Sequence, residues 1–287
     1  MGRGLDGPGG VWEILKNQRI LWVQEGYSTL DVFLAHSSKL IHGTGRSIRI
    51  LHLDGKDLRE APHGWNHDLL VPATFSFTIE GTTGVGIGDS LFLVGGKRNP
   101  RSGLRLDLRS GEWMPLPDTI RGREKAALVM WDPHNILILG GRDPEKDAVH
   151  SSCERLDTRQ GQWSPFPRDI PLPVQDHAAA LLDGHVYISG GFRDEESLGE
   201  AWRCRANGEG PWDPLPSLRF NRHLHGMMGD GAGRLQVVGG RHEKVGEWIV
   251  EVLSTEVLNL DEGRGWERQQ ELPFVRVLKA SGMECVE

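Results

Sequence analysis

Ile136-Leu-Ile-Leu-Gly-Gly141 is an apolar run of strand length that ends in two glycines. The same phrase returns as Leu91-Phe-Leu-Val-Gly-Gly96, Val186-Tyr-Ile-Ser-Gly-Gly191 and Leu235-Gln-Val-Val-Gly-Gly240. The second glycines stand at 96, 141, 191 and 240, hence 45, 50 and 49 residues apart. Recurrence at such a period marks a solenoid, a propeller or an array. A β-rich run closed by paired glycines predicts a buried strand whose backbone then turns where a side chain has no room.

Each Gly-Gly is followed by a Trp in a recurring frame. Leu106-Asp107 leads through Gly111 to Trp113, Leu156-Asp157 through Gly161 to Trp163, and Leu260-Asp261 through Gly265 to Trp266. The remaining copy has Cys204-Arg205 before Trp212. Asp followed by polar residues and Gly is turn chemistry, so the frame reads strand, tight turn, strand. Trp-x-Pro-x-Pro follows at Trp113, Trp163 and Trp212, and proline there ends the strand. Before the next Gly-Gly comes a small-residue run, such as Lys125-Ala-Ala-Leu-Val-Met or His177-Ala-Ala-Ala-Leu-Leu. Each repeat therefore holds four strands: a small-residue strand, the Gly-Gly strand, a polar middle strand and the Trp strand.

Composition narrows the function classes. A formal charge of -7 over 287 residues argues against general nucleic-acid binding. Three cysteines without a CxxC pair argue against a disulfide framework or a zinc site, and favour a reducing, cytoplasmic setting. No apolar run approaches the roughly 18 residues of a membrane span. The opening Met1-Gly-Arg-Gly-Leu-Asp carries neither a secretion signal nor the myristoylation pattern.

Gly-Gly, Leu-Asp, Gly-x-Trp and Leu-Pro in this order resemble the kelch repeat, well over residues 82–287 and weakly before. The resemblance implies an all-β fold, a kelch β-propeller of four-stranded blades. Trp-strand positions at Trp12, Leu58, Trp113, Trp163, Trp212 and Trp266 predict six blades. The first blade is incomplete and closed by N- and C-terminal strands, from 1–18 plus 276–287. The others are expected at 19–62, 73–117, 123–167, 176–216 and 222–273. In blade 2, Asp31–His36 stands for the Gly-Gly strand and Leu58 for the Trp. The short first blade predicts a fragment or shortened product of a longer polypeptide. In the kelch-like family a BTB and a BACK domain precede such a propeller and recruit a cullin-RING ubiquitin ligase; neither is in this sequence.

Structural repeat positions are Gly95, Gly96, Gly140, Gly141, Gly190, Gly191, Gly239 and Gly240, with Trp113, Trp163, Trp212 and Trp266 packing between blades. Repeat symmetry collects the residues after each Gly-Gly on one rim: Lys97, Arg98, Arg142, Arg193, Arg241 and His242. The loops leading into the small-residue strands add Arg123, His177, Arg222 and Arg276. By resemblance, kelch-like propellers bind partner peptides there, and arginines capture carboxylates or phosphates by charge-assisted bonds. The competing reading is a solvated loop cation neutralised by Asp143, Asp194 or Glu243. His223-Leu-His225 lacks a third ligand at metal spacing, so neither metal nor cofactor is expected. No nucleophile elbow or P-loop is present, and no catalytic residue is assigned.

The expectation is a protein-interaction module without enzymatic activity, binding a protein or peptide, acidic in character. It would be the substrate-recognition propeller of a cullin-RING adaptor, touching the cullin scaffold only through the BTB domain. The alternative is a kelch scaffold or cytoskeleton-associated protein without a ligase role; a propeller enzyme has little support, since fold alone does not select function.

Overall fold

A strand that is apolar at every position has to be covered on both faces. In the computed structural model of the chain, Asn135–Leu139 is such a strand from Ile136 onward, and it is buried throughout. Ile136 and Ile138 cluster with Val85, Phe92 and Val94 on one side. Leu137 and Leu139 cluster with Val186 and Ile188 on the other. Alternation along the strand sends successive side chains to opposite faces, so one strand glues two neighbouring sheets.

The structure describes residues 32–36, 39–44, 47–52 and 67–271, apart from 79, 230–232, 247–248 and 253. Among them lie five four-stranded antiparallel sheets. The first holds Val32–His36, Lys39–Thr44, Ser47–His52 and His67–Leu70, described by strand pairing alone. The second holds Thr83–Ile87, Ser90–Val94, Gly103–Asp107 and Trp113–Leu116. The third holds Ala127–Asp132, Asn135–Leu139, Cys153–Asp157 and Gln162–Pro165. The fourth holds Ala178–Leu182, His185–Ser189, Ala201–Arg205 and Asp213–Leu215. The fifth holds Gly226–Gly229, Arg234–Val238, Ser254–Asn259 and Glu267–Glu271. The leading strands of successive sheets lie against one another in chain order. The result is all-β and propeller-like, with no helix among the described residues.

Successive sheets are clasped through the backbone. The N–H of Gly96 donates to the carbonyl of Arg123, that of Gly141 to Val174 and that of Gly191 to Arg222, each at 2.8 Å. Every acceptor lies on the loop leading into the next sheet. A second set of bonds runs around the same edge: Lys125 donates to Gly81, Asp176 to Lys125 and Leu224 to Asp176, each at 2.9 Å. Lys125, Asp176 and Leu224 adopt φ of 55°, 53° and 55°, a region non-glycine residues rarely enter. Strained residues at one recurring place show that the clasp geometry outranks local preference.

The glycine pair follows from this clasp. Both members have positive φ, for example 57° and 109° at Gly190 and Gly191. A Cβ on Gly140 would stand 2.8 Å from the Val174 carbonyl oxygen, and Cβ atoms on Gly95 and Gly190 would press on those of Arg123 and Arg222. The Trp repeat serves the same seam from the outside. Trp163 Nε1 donates to the carbonyl of Pro117 in the preceding sheet (3.0 Å), and Trp266 Nε1 to that of Pro216 (2.7 Å). Trp113 and Trp212 are only half-buried.

Two strand assignments differ from the sequence reading. Val32–His36, expected as the second strand of its sheet, is the first and pairs with Lys39–Thr44 alone. That segment has no glycine pair to anchor the count, and its fourth strand is His67–Leu70, not the segment at Leu58. In the fifth sheet Leu258, not Leu260, stands opposite Leu235, as Leu156 stands opposite Ile136. Asn259 therefore fills the Asp157 position, and its Oδ1 accepts the N–H of Asp261, as the Asp157 carboxylate accepts that of Arg159. Leu58, Trp12, Arg276 and the closing segments 1–18 and 276–287 lie outside the described residues.

The clasp makes a graded prediction. Ala at position 184, an open hairpin turn at φ 69° with nothing within 4 Å among the described residues, costs the positive-φ strain alone, about 1–2 kcal/mol. Ala at position 190 adds overlap with a backbone carbonyl, worth a further ~1–3 kcal/mol. Denaturant melts of Gly190→Ala and Gly184→Ala should show the larger loss at position 190; equal losses would remove the close-approach explanation.

Candidate functional site

In an antiparallel four-stranded sheet, the connection from second to third strand and the loop into the first strand share one edge. Here they also touch. Short hairpins follow three of the Gly-Gly pairs, at 142–149, 192–197 and 241–251. Their first residues bridge to the lead-in loops, as Glu124 with Arg142, Gln175 with Phe192 and His223 with Arg241. This edge is the candidate site, because hairpins and loops vary freely on a scaffold that the glycine clasp fixes.

The expected ring of cations divides into unlike parts. Arg123 and Arg222 are 0% exposed, so neither lies on an open rim. Arg123 donates to the carbonyls of Gly140 (2.7 Å) and Ser152 (2.8 Å), to the Ser152 hydroxyl (3.1 Å) and to Glu154 (2.5 Å). Arg222 repeats this with Gly239, Ser254 and Glu256. Each glutamate also caps two loop N–H groups, Glu154 those of Ile120 and Arg121, Glu256 those of Arg219 and Phe220. Burial lowers the Arg222 pKa while Glu256 opposes that shift. In the fourth sheet Val174 and Trp202 occupy the equivalent places and join the apolar cluster. The two positions change together, as a buried ion pair must be kept or lost whole.

His177 is also buried, and neither ring nitrogen has a hydrogen-bond partner among the described residues. It fills the gap between the glycine pairs of adjacent sheets, against Gly140 and Gly191. Burial pushes its pKa down to about 4. His223 is held at about 4 by burial and by the charges of Arg241 and Lys125, and burial with nearby Arg222 takes His225 well below its ordinary value. These imidazoles are neutral packing groups at pH 7.

The remaining cations do reach the edge, mostly beside carboxylates. Arg142 pairs with Glu124 (2.7 Å) and Asp147, which together raise its pKa, Asp147 foremost. Arg193 pairs with Asp194 at 3.2 Å and Lys97 with Glu80 at 3.2 Å. The Arg241 backbone is bonded to His223, and His242 Nδ1 stands 2.9 Å from the Asn221 carbonyl oxygen. Arg98 and Arg121 are exposed. Thr119 ties their surroundings together, its hydroxyl reaching the carbonyls of Arg101 (3.2 Å) and Arg121 (2.8 Å). Exposed Arg98 and Arg121 thus stand at the seam of the second and third sheets, while Arg193, Arg241 and His242 belong to the hairpins of the fourth and fifth. Sequence reasoning missed the neutralising partner Glu124 and the pair Lys125–Asp176 (3.3 Å), where burial raises the Asp176 pKa to about 6 against the pull of Lys125. Their signal was position: both sit one repeat apart in the lead-in loops.

Among the described residues no group of three His, Cys, Asp or Glu is placed to hold a metal ion. No described helix is long and apolar enough to cross a membrane. Compared with known proteins, the chain matches no family model, and no curated protein matches it.

Two outcomes are expected. Arg123→Leu or Glu154→Leu alone strands a buried charge and should cost about 3–5 kcal/mol, whereas the double variant recovers part of that loss; additive losses in a double-mutant cycle would contradict the pairing. Acid should also loosen the seams. The unfolded chain protonates His177 and His223 near pH 6.5 and the folded chain only near 4, so stability falls as pH drops from 6.5 to 4. Asp176, raised to about 6 from 3.8, opposes this loss over the lower part of that window. Thermal midpoints across the range should decline, and His177→Leu should flatten the decline; a flat wild-type profile would contradict it.

Proposed function

We propose that the chain is a kelch-type propeller that serves as a protein-interaction module, the substrate-recognition part of a cullin-RING ubiquitin ligase adaptor whose BTB and BACK domains lie outside this sequence. The observation that carries this reading is one edge of hairpins and lead-in loops, variable in side chains, mounted on a clasped repeat of Gly-Gly, Asx turn and Trp. The kelch resemblance supplies the ligase role.

Six blades complete the ring in this reading, the closing blade combining 1–18 with 276–287. A sequence interval supports it. Arg276 follows Trp266 at the interval that separates Arg123 from Trp113 and Arg222 from Trp212.

The acidic partner segment engages the exposed cations of the second–third seam, Arg98 and Arg121, where a carboxylate can displace water from two guanidinium groups. Proximity labelling in cells with the full-length adaptor should recover a cullin and one or more acidic partners. Arg98→Glu with Arg121→Glu should abolish partner capture without lowering the melting temperature. Recovery of partners without a cullin would overturn the ligase role, and undiminished capture by the double variant would overturn the acidic-partner reading.

A further inference from the structure

The far side of the same edge has the opposite character. On the 241–251 hairpin of the fifth sheet, Val245, Ile249 and Val250 are 61%, 40% and 52% exposed. Phe220, 45% exposed, extends this surface: Val250 pairs with His242 across the hairpin, and His242 contacts the carbonyl of Asn221 beside Phe220. Scattered apolar side chains on a surface mean little, but a contiguous group points to an interaction site.

The hairpin is held in place. Ser197 N–H donates to the Glu243 carbonyl and Glu243 N–H to the Ser197 hydroxyl, both at 2.8 Å. This clamps it to the 192–197 hairpin of the fourth sheet, whose tip is Asp194-Glu195-Glu196, exposed at all three residues. Consecutive positive φ values of 52° and 62° at Asp194 and Glu195 fix a tight turn that holds the carboxylates outward. Arg193 pairs with Asp194, and exposed Lys244 stands between tip and apolar surface, so carboxylates remain in excess on this margin. At the other margin the Arg268 guanidinium lies over the Phe220 ring, 5.6 Å from its centre.

We propose that this surface docks a protein segment combining aliphatic or aromatic anchors with lysine or arginine. The anchors cover Val245, Ile249 and Val250, and the basic residues face the carboxylates of 194–196. Arg268 disfavours the reverse orientation by like-charge repulsion. Charge complementarity selects the partner and its direction, and apolar burial supplies the affinity. This site goes beyond the acidic-partner reading, which concerns the opposite seam, and stands or falls separately from it.

The test is fluorescence anisotropy on the full 287-residue chain with fluorescein-labelled model peptides of about twelve residues, built from Lys and Leu, from Lys and Ser, or from Glu and Leu. The Lys/Leu peptide should bind at least about tenfold more tightly than the other two, a difference of about 1.4 kcal/mol. Glu195→Lys with Glu196→Lys, and separately Val245→Ser with Ile249→Ser, should each weaken it about tenfold. All lie on exposed side chains, and unchanged melting temperatures verify the fold. Arg98→Glu with Arg121→Glu should leave this binding intact, which separates the two sites. The proposal is overturned if the Lys/Leu peptide fails to bind, if Lys/Ser binds equally well, if Glu/Leu is preferred, or if either pair of substitutions is silent. Sedimentation showing a dimer that Val245→Ser with Ile249→Ser dissolves would assign the surface to a second copy of this chain and also overturn it.

Discussion

At three of the four glycine pairs, a backbone N–H on the second glycine donates to a carbonyl on the loop that begins the next sheet. That single bond fixes where one sheet ends and the next may start. It demands positive φ at both glycines, bars a Cβ at the first, and brings the hairpin after the pair against the neighbouring lead-in loop. Apolar strands buried on both faces supply the bulk of cohesion, but burial is non-directional and would tolerate many sheet orientations. Direction comes from the clasp and from the Trp indoles that repeat it on the outer side.

Around this fixed frame the repeat solves one local problem in two ways. The lead-in residue and its partner on the third strand are Arg123 with Glu154 or Arg222 with Glu256 in the third and fifth sheets, and Val174 with Trp202 in the fourth. A half exchange would leave a charge in a dry site, whereas full exchange keeps the seam filled. The buried arginines therefore build the site's floor. In the proposed reading, recognition falls to exposed groups above it, cationic at Arg98 and Arg121, and apolar with carboxylates at the 192–197 and 241–251 hairpins.

The architecture was legible because the features that make it are stereochemical. Gly-Gly and Trp answer to backbone space, and their spacing survives in the sequence whatever surrounds them. Register slipped where a near match stood two residues from the true one: Leu260-Asp261 imitated the frame that Leu258-Asn259 fills, since Asn forms the same turn. The first sheet, without paired glycines, offers no anchor, so nothing in its sequence tells its leading strand from a second one. The site was less legible. Sequence gives arginine a charge but no address, so buried Arg123 and Arg222 looked the same as exposed Arg98. Their glutamates, some thirty residues away on the third strand, carry no motif of their own. Left-handed Lys125, Asp176 and Leu224 also leave no trace in residue type.

Native-state hydrogen exchange at the clasp is the most direct test of the account. If the clasp holds successive sheets as one unit, the amides of Gly96, Gly141, Gly191, Lys125, Asp176 and Leu224 open together, with the free energy and denaturant dependence of global unfolding. Separate, shallow openings at each seam, with the sheets unfolding one by one, would contradict it.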